Sequence, residues 1–380
     1  MLILNLFKIL VQLKGSDLHL IAGRPPAVRV HGDLKPIPGA ERLSAETVKN
    51  LVYEILTEDQ KRHFEKDREN RYELDFGYGL AGVGRFRVNV HRQRGTVAAT
   101  IRALSSNIPR LEDLGLPPAV RRFTEAKRGL VLVTGPTGSG KSTTLAALID
   151  SINAARNDHI ITIEDPIEYL HQPKKSYITQ REVGVDADTL SFRNALKYAL
   201  RQDPDVILIG EMRDFETIGI AITSAETGHL VLATLHTSSA AQTIDRIVDV
   251  FPADQQAQVR VQLASNLLGV VSQVLLPRID MPGRVLACEL MIANFAIRNN
   301  IRTGKTEALF QTIQTSAAEG MQTMDQCLIR LCREGKIDYE TAKPYVYDKF
   351  SHETLAAIPK PVAKKPAAAA PAHPPHHKKE

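Results

Sequence analysis

Leu130-Val-Leu-Val133-Thr-Gly135-Pro-Thr-Gly-Ser-Gly140-Lys141-Ser142 decides the fold. Four apolar residues in a row read as a strand buried on both faces. The glycine-rich stretch that follows has the spacing G-x-x-x-x-G-K-S and leads into a helical segment, Thr143 to Ala155. Strand, loop and helix in that order form a phosphate-binding loop. Its glycines let successive backbone N–H groups turn inward around phosphate oxygens, and the helix amino terminus adds a favourable dipole. Gly135, Pro136, Thr137, Gly138, Ser139, Gly140, Lys141, Ser142 and Thr143 are therefore the expected nucleotide-binding residues. Lys141 is expected to reach the β- and γ-phosphates of ATP, and Ser142 to bind Mg²⁺.

The pattern continues beyond the loop. Ile160-Ile-Thr-Ile163, Val206-Ile-Leu-Ile209 and Leu230-Val-Leu-Ala233 are further short apolar runs separated by helical segments. Such alternation predicts an α/β domain, a parallel sheet covered on both faces, over residues 117–292. Ligands of such sheets sit beyond the carboxyl ends of the strands, so the residues there are the candidates for chemistry. After Ile163 comes Glu164-Asp165-Pro166-Ile167-Glu168. Glu164 is the candidate to orient an attacking water, while Asp165 suits a cap or turn before proline. After Ile209 come Gly210 and Glu211. An Asp usually closes this strand and supports the Mg²⁺ shell; here Glu211 is the acid, with a side chain long enough to act through water. His229 and His236 bracket the fourth run. Seven positions at about 3.3 Å each keep them from sharing a metal. Each is read either as a sensor of nucleotide state or a contact to a neighbouring subunit, or as a histidine merely hydrogen-bonded at a strand end. Arg193, Lys197 and Arg201 lie on one helical stretch, Phe192 to Pro204, and read as a solvated face.

Outside this domain the sequence divides by composition. Residues 1–105 read as a smaller α+β domain: Ala27-Val-Arg-Val-His31 and Gly84-Arg-Phe-Arg-Val-Asn-Val-His91 are strand-like, and Ser44 to Glu65 is one helical stretch with Ser44 as its N-cap. The apolar start, Met1 to Leu13, has no basic stretch before it and no cleavage site, which favours a docking helix over a signal peptide. Residues 106–116, with prolines at and just past them, are a linker, and 293–358 read as short helices. Residues 359–380, mostly Pro, Ala, Lys and His, are expected to be disordered. His373, His376 and His377 in that tail read as solvated rather than metal-binding.

Composition excludes several classes. The tail holds five lysines and one glutamate, so it supplies four of the five net positive charges. The rest is near neutral, and no nucleic-acid partner is implied. Cys288, Cys327 and Cys332 cannot all pair and contain no C-x-x-C, so a structural zinc site is not expected. No apolar run approaches the roughly 18 residues that cross a bilayer, and a cytoplasmic protein is expected. A kinase needs an acceptor site, for which no motif is present. A non-hydrolysing scaffold needs a broken catalytic group, yet Lys141, Ser142, Glu164 and Glu211 are all in place.

Together, the phosphate loop, Ile161-Thr-Ile-Glu-Asp-Pro-Ile-Glu168, Ile207-Leu-Ile-Gly-Glu-Met-Arg-Asp214 and Thr227-Gly-His-Leu-Val-Leu-Ala-Thr-Leu-His236 resemble the Walker A, Asp-box, Walker B and His-box motifs of type II/IV secretion ATPases. Gly15-Ser-Asp-Leu-His-Leu20, Ala296-Ile-Arg-Asn-Asn-Ile-Arg302 and Gly320-Met-Gln-Thr-Met-Asp325 are similar to the type IV pilus retraction branch, the PilT-like proteins. The resemblance, over about residues 10 to 345, implies a homohexameric ring with a PAS-like amino-terminal domain and a RecA-like ATPase domain, and ATP at their junction close to the next subunit. It also implies attachment at the inner face of the cytoplasmic membrane through a pilus platform protein. Catalysis falls to Glu164 and metal support to Glu211. Arg87 and Arg102 are the best-placed matches for the arginines that the family's amino-terminal domain turns to the phosphates, with Arg201 a further candidate. Asn300, Thr303 and Lys197 depart from the leucine, acid and arginine usual at those positions. These departures bear on retraction rather than on ATP. Pilus-extension ATPases carry a larger amino-terminal region and a four-cysteine metal site, and this sequence shows neither.

Overall fold

The computed structural model describes residues 2–30, 32–66, 72–104, 107–184 and 187–358. The tail from 359 onward and His31 lie outside the described residues, and with them the expectations placed there.

Two sheets organise the chain. The first is antiparallel and holds β1 (Asp17–Leu20), β2 (Ala27–Val30), β3 (Asp33–Pro36), β4 (Glu73–Leu80), β5 (Gly84–Gln93) and β6 (Thr96–Ala103), in the order β3-β2-β1-β6-β5-β4. The period-two alternation of β5 puts Phe86, Val88 and Val90 into the core and Arg85 and Arg87 on the other face. The apolar start of the chain is the helix Ile3–Gln12, which buries Ile3, Leu6, Phe7 and Leu10 against this sheet. Phe7 stacks on Phe86 at 4.5 Å between ring centres. Ser44 caps its helix as expected, its hydroxyl accepting from Thr47 N at 3.0 Å. The helical stretch does not run unbroken to Glu65, however; it forms two helices, Ala45–Tyr53 and Glu58–Lys66. A second cap starts the latter: Thr57 N donates to Gln60 Oε1 at 3.0 Å, and Gln60 N to Thr57 Oγ1 at 3.1 Å. These reciprocal bonds offer the backbone a fresh helix start that a continuous helix lacks.

The second sheet holds β7 (Gly129–Thr134), β8 (His159–Glu164), β9 (Tyr177–Glu182), β10 (Val206–Ile209), β11 (Leu230–Leu235), β12 (Leu267–Pro277) and β13 (Arg284–Ile292), in the order β13-β12-β7-β11-β10-β8-β9. All pairs are parallel except β12 with β13. The four expected runs are its centre, and they are apolar except at Thr162 because both faces are covered. Val131, Val133, Ile160, Val206, Leu208 and Leu232 pack with the helix Lys141–Ala155 on one face. Leu132, Ile161, Ile163, Ile207, Ile209 and Val231 pack with helices Phe192–Ala199, Phe215–Glu226, Ala240–Asp249 and Ala253–Asn266 on the other. Each such side chain contributes about 1.5–3 kcal/mol.

The segment after Asn107 is not a free tether, since Leu111 is buried in the core around the helix Lys141–Ala155. At the other end, the helix Met324–Arg333 opens with a Thr323/Gln326 capping box and sets Cys327, Leu328 and Leu331 against Val274, Leu276 and Ala287 of β12 and β13. All three cysteines are buried free thiols.

Candidate active site

Parallel pairing fixes where the loops meet. Thr134 lies level with Leu235, Ala233 with Ile209, and Ile209 with Ile163. The phosphate loop, Glu164, Glu211 and His236 therefore leave the sheet at the same edge, beyond its carboxyl ends. They line one cleft of about 450 Å³, which also takes in Arg87 from the antiparallel sheet.

The loop's shape is imposed by β12. Gln273 reaches it with both ends of its amide: Nε2 donates to Ser139 O at 2.8 Å, and Oε1 accepts from Thr144 Oγ1 at 3.1 Å. A Cβ on Gly135 would lie 2.2 Å from the Gln273 carbonyl oxygen, so only glycine lets the loop lie this close to the strand. Gly140, in the left-handed region at φ 91°, turns the chain into the helix Lys141–Ala155. Lys141 Nζ donates to Gly135 O at 2.8 Å and Pro136 O at 3.0 Å, which holds it inside the loop. Burial lowers its pKa, while the charges of Glu211 and Glu168 oppose that. Thr143 Oγ1 lies 2.9 Å from the Tyr169 hydroxyl, tying the helix start to the segment after Glu168.

Glu164 ends β8 facing the cleft. Its Oε1 accepts from the Thr162 hydroxyl at 2.7 Å and from Gln180 Nε2 at 3.3 Å. Burial raises its pKa above the ordinary carboxylate value, and the two donors only partly offset this. A carboxylate so placed is a better proton acceptor than a solvated one and is fixed in direction. Glu211 is tuned the other way. Arg213 Nη2 lies 2.7 Å from its Oε2 and His236 Nε2 lies 3.3 Å from its Oε1. The hydrogen bond from Arg213 is the main cause that holds its carboxyl below the usual range, against burial. Two carboxylates pushed apart in this way suit a base and a permanent anion.

Both candidate metal contacts, the Ser142 hydroxyl and the Glu211 carboxylate, are hard oxygen donors lining the cleft. Among the described residues no three His, Cys, Asp or Glu side chains gather as a metal cage. One or two protein oxygens, completed by phosphates and water, are what Mg²⁺ accepts. The donor set fits it.

The other expected residues are not gathered at the cleft of this chain. Arg102 faces Arg87 across the β5–β6 pair, but its Nε bonds Asp17 Oδ1 at 2.9 Å. Arg201 follows the helix Phe192–Ala199, next to Gln202, whose carbonyl meets His159 at the start of β8. That is the opposite end of the sheet. His229 lies at the same far end, its Nδ1 2.9 Å from Ser224 O. Sequence reasoning missed Gln273 and Gln180, which belong to no motif. Thr162 and Arg213 lie inside motifs of the resemblance but carried no role there.

One expectation follows from the Thr162 hydroxyl. A group acting as a base loses activity as pH falls through its pKa, and this pKa is raised. Thr162→Val removes a donor that favours the charged form, so the acid limb of the kcat profile should move to higher pH. A limb unmoved in the variant would separate Thr162 from the titration of Glu164.

Comparison with known proteins agrees with this geometry. The family described as "Type II/IV secretion system protein" matches residues 44–334. "Type IV pilus retractation ATPase PilT" of Pseudomonas aeruginosa is 51% identical over 328 residues, covering 86% of this chain and 93% of that protein. A "Twitching motility protein" of Neisseria gonorrhoeae is 51% identical over 323 residues, covering 85% and 84%. A solved structure of "the Pilus Retraction Motor PilT and Bound ADP" superposes with a TM-score of 0.86 at 49% identity, covering 93% of this chain and 99% of that one. The chain therefore belongs to the type II/IV secretion system protein family, as a PilT-like secretion ATPase.

Proposed function

We propose that this protein is a hexameric motor that hydrolyses ATP to drive type IV pilus retraction. The observation that carries the reading is the single cleft uniting the phosphate loop with two oppositely tuned carboxylates and an arginine from the other sheet. ATP is the substrate, its phosphates cradled by Gly135 to Thr143 and paired by Lys141. Ser142 and Glu211 would hold Mg²⁺, which would supply charge neutralisation to the transferring group. Glu164 orients the water and accepts its proton as the water oxygen attacks the γ-phosphorus and the bond to the leaving ADP oxygen breaks. Arg87, on a different sheet from the loop, supplies positive charge to the γ-phosphoryl oxygens. His236, bonded to Glu211, senses whether that charge is present. Arg102 and Arg201 enter this reading only as arginines turned to the phosphates of a neighbouring subunit, and His229 only as a contact to that subunit.

Loss of the γ-phosphate then releases the hold on Arg87 and lets the two sheets shift, so that chemistry becomes motion. The same reading divides the chain into a PAS-like part over 1–105, a linker over 106–116, the ATPase domain over 117–292, helices over 293–358 and the tail. Among the described residues no helix is long and apolar enough to cross a membrane. A cytoplasmic ring held at the inner face of the membrane by a pilus platform protein fits that.

The test is a count of surface pili in native cells whose only copy carries Glu164→Gln. More pili with surface motility lost is the expected result, because assembly then runs unopposed. Bald cells would mean a motor that builds pili, and unchanged pili an accessory or secretion role.

A further inference from the structure

Glu182 ends β9 and pairs in register with Glu164 on β8. It takes no part in the chemistry above, yet its carboxylate is nearly enclosed and collects three donors. Gly77 N, on β4 of the other sheet, donates to its Oε1 at 3.0 Å, and Ile167 N donates to its Oε2 at 3.1 Å. The third is the guanidinium of Arg85, on β5. Arg85 also turns its Nε to Ile167 O at 3.0 Å. Both peptide groups of Ile167 are thus held, one by Glu182 and the other by Arg85. Ile167 stands three residues beyond Glu164, and Val183 N donates to Glu164 O at 2.8 Å. The clasp is built for this contact: a Cβ on Gly77 would meet the Glu182 carboxylate at 2.5 Å, although its backbone is in an ordinary strand conformation.

From these contacts we infer that Arg85 and Glu182 are positioning residues for hydrolysis, a salt-bridged clasp through which the antiparallel sheet sets the placement of the Glu164–Glu168 loop. The inference rests on Glu164 being the water-orienting base. Arg85 and Arg87 lie on the same face of β5. One strand therefore carries both the clasp and the arginine that lines the cleft. When the clasp is closed, Arg87 and Glu164 are presented together. When it opens, the loop after Glu164 loses two backbone tethers while the phosphate loop, held by Gln273 on a different strand, stays as it is.

That asymmetry defines the experiment, done on the full chain by steady-state ATPase assay and binding of a fluorescent ATP analogue. Arg85→Ala and Glu182→Ala should each lower kcat about tenfold or more, since displacing a catalytic group by about 1 Å costs up to about a hundredfold. KM and analogue affinity should stay within about threefold, because the phosphate loop is untouched. The double variant should be no worse than the poorer single one, as for two members of one contact. Arg85→Lys restores a cation beside Glu182 but not the second donor to Ile167, so its kcat should be intermediate. The clasp is overturned if the single variants keep kcat within twofold of wild type, or if their losses add in the double variant, while Glu164→Gln is dead. Wild-type turnover in Glu164→Gln would instead remove the parent reading. Should Arg85→Ala not fold, a wild-type kcat in Arg85→Lys overturns the inference equally well.

Discussion

Purified protein carrying Glu164→Gln should bind ATP with wild-type affinity and hydrolyse it about 10²–10⁴-fold more slowly. The substitution keeps the shape of the side chain. The amide oxygen of glutamine still accepts from the Thr162 hydroxyl and from Gln180, which now meet at Glu164 Oε1. What is lost is the negative charge and the capacity to take a proton. Nothing in the phosphate loop changes, because its shape comes from Gln273 and from its own glycines. Binding of a fluorescent ATP analogue and release of inorganic phosphate measure the two halves separately. Phosphate release within tenfold of wild type would take Glu164 out of the reaction. Weakened binding with turnover lost in proportion would make it a structural residue instead.

Gly135→Ala should do the reverse, abolishing nucleotide binding and destabilising the fold. The new Cβ would lie 2.2 Å from a main-chain oxygen of β12 and 2.7 Å from Ser139 Oγ. That oxygen cannot retreat, because Gln273 is paired with Cys288 on one side, while its neighbour Ser272 lies level with Thr134 on the other. Gly135 also sits at φ 141°, where a side chain is strained whatever the space. Overlap and strain together should cost about 2–5 kcal/mol. The expected readout is a melting temperature lowered by several degrees and analogue affinity reduced at least about a hundredfold. Gly138 makes the control, since at φ 78° it has nothing within 4 Å of its Cβ position. Gly138→Ala should cost only about 1–3 kcal/mol of backbone strain. Equal losses of melting temperature at the two positions would mean that contact with β12 does not shape the loop.

What could be read in advance from the residues was what a local pattern carries. The phosphate loop has a fixed spacing, and the four central runs are apolar except at Thr162 because helices cover both their faces. Glu164 and Glu211 followed from the rule that chemistry lies past the carboxyl ends of such strands. β9 escaped because it is an edge strand, Tyr177–Glu182, only half buried and mostly polar, so it shows no continuous apolar run. β12 and β13 were apolar enough to see, but an antiparallel pair added to a parallel sheet breaks the alternation that exposed the others. Gln273 was invisible for a different reason. Its contact with Ser139 spans 134 positions, and a lone glutamine in an apolar strand announces only that something polar must meet it. The Arg85–Glu182 contact spans 97 positions and belongs to no spacing rule. The division of the stretch from Ser44 to Glu65 turned on Thr57 and Gln60, a capping pair that could have been found.

The placement of β12 also sets a timetable for making the protein. β7, which carries the phosphate loop, is flanked by β11 and β12, both synthesised after more than ninety further residues. While the chain is still emerging from a ribosome, β7 has its helix but neither neighbour, and its edges are bare. Such unpaired, wholly apolar strands are the ones most exposed to faulty pairing with other chains. The loop itself gains its shape only when Gln273 arrives, so a nascent chain becomes able to hold nucleotide late, after nearly three quarters of it has been translated. Pairings this distant also slow the search for the native arrangement, because long loops must close before any contact repays them. Nucleotide in the cell then acts as a late seal on the finished domain, stabilising only those chains that have completed it.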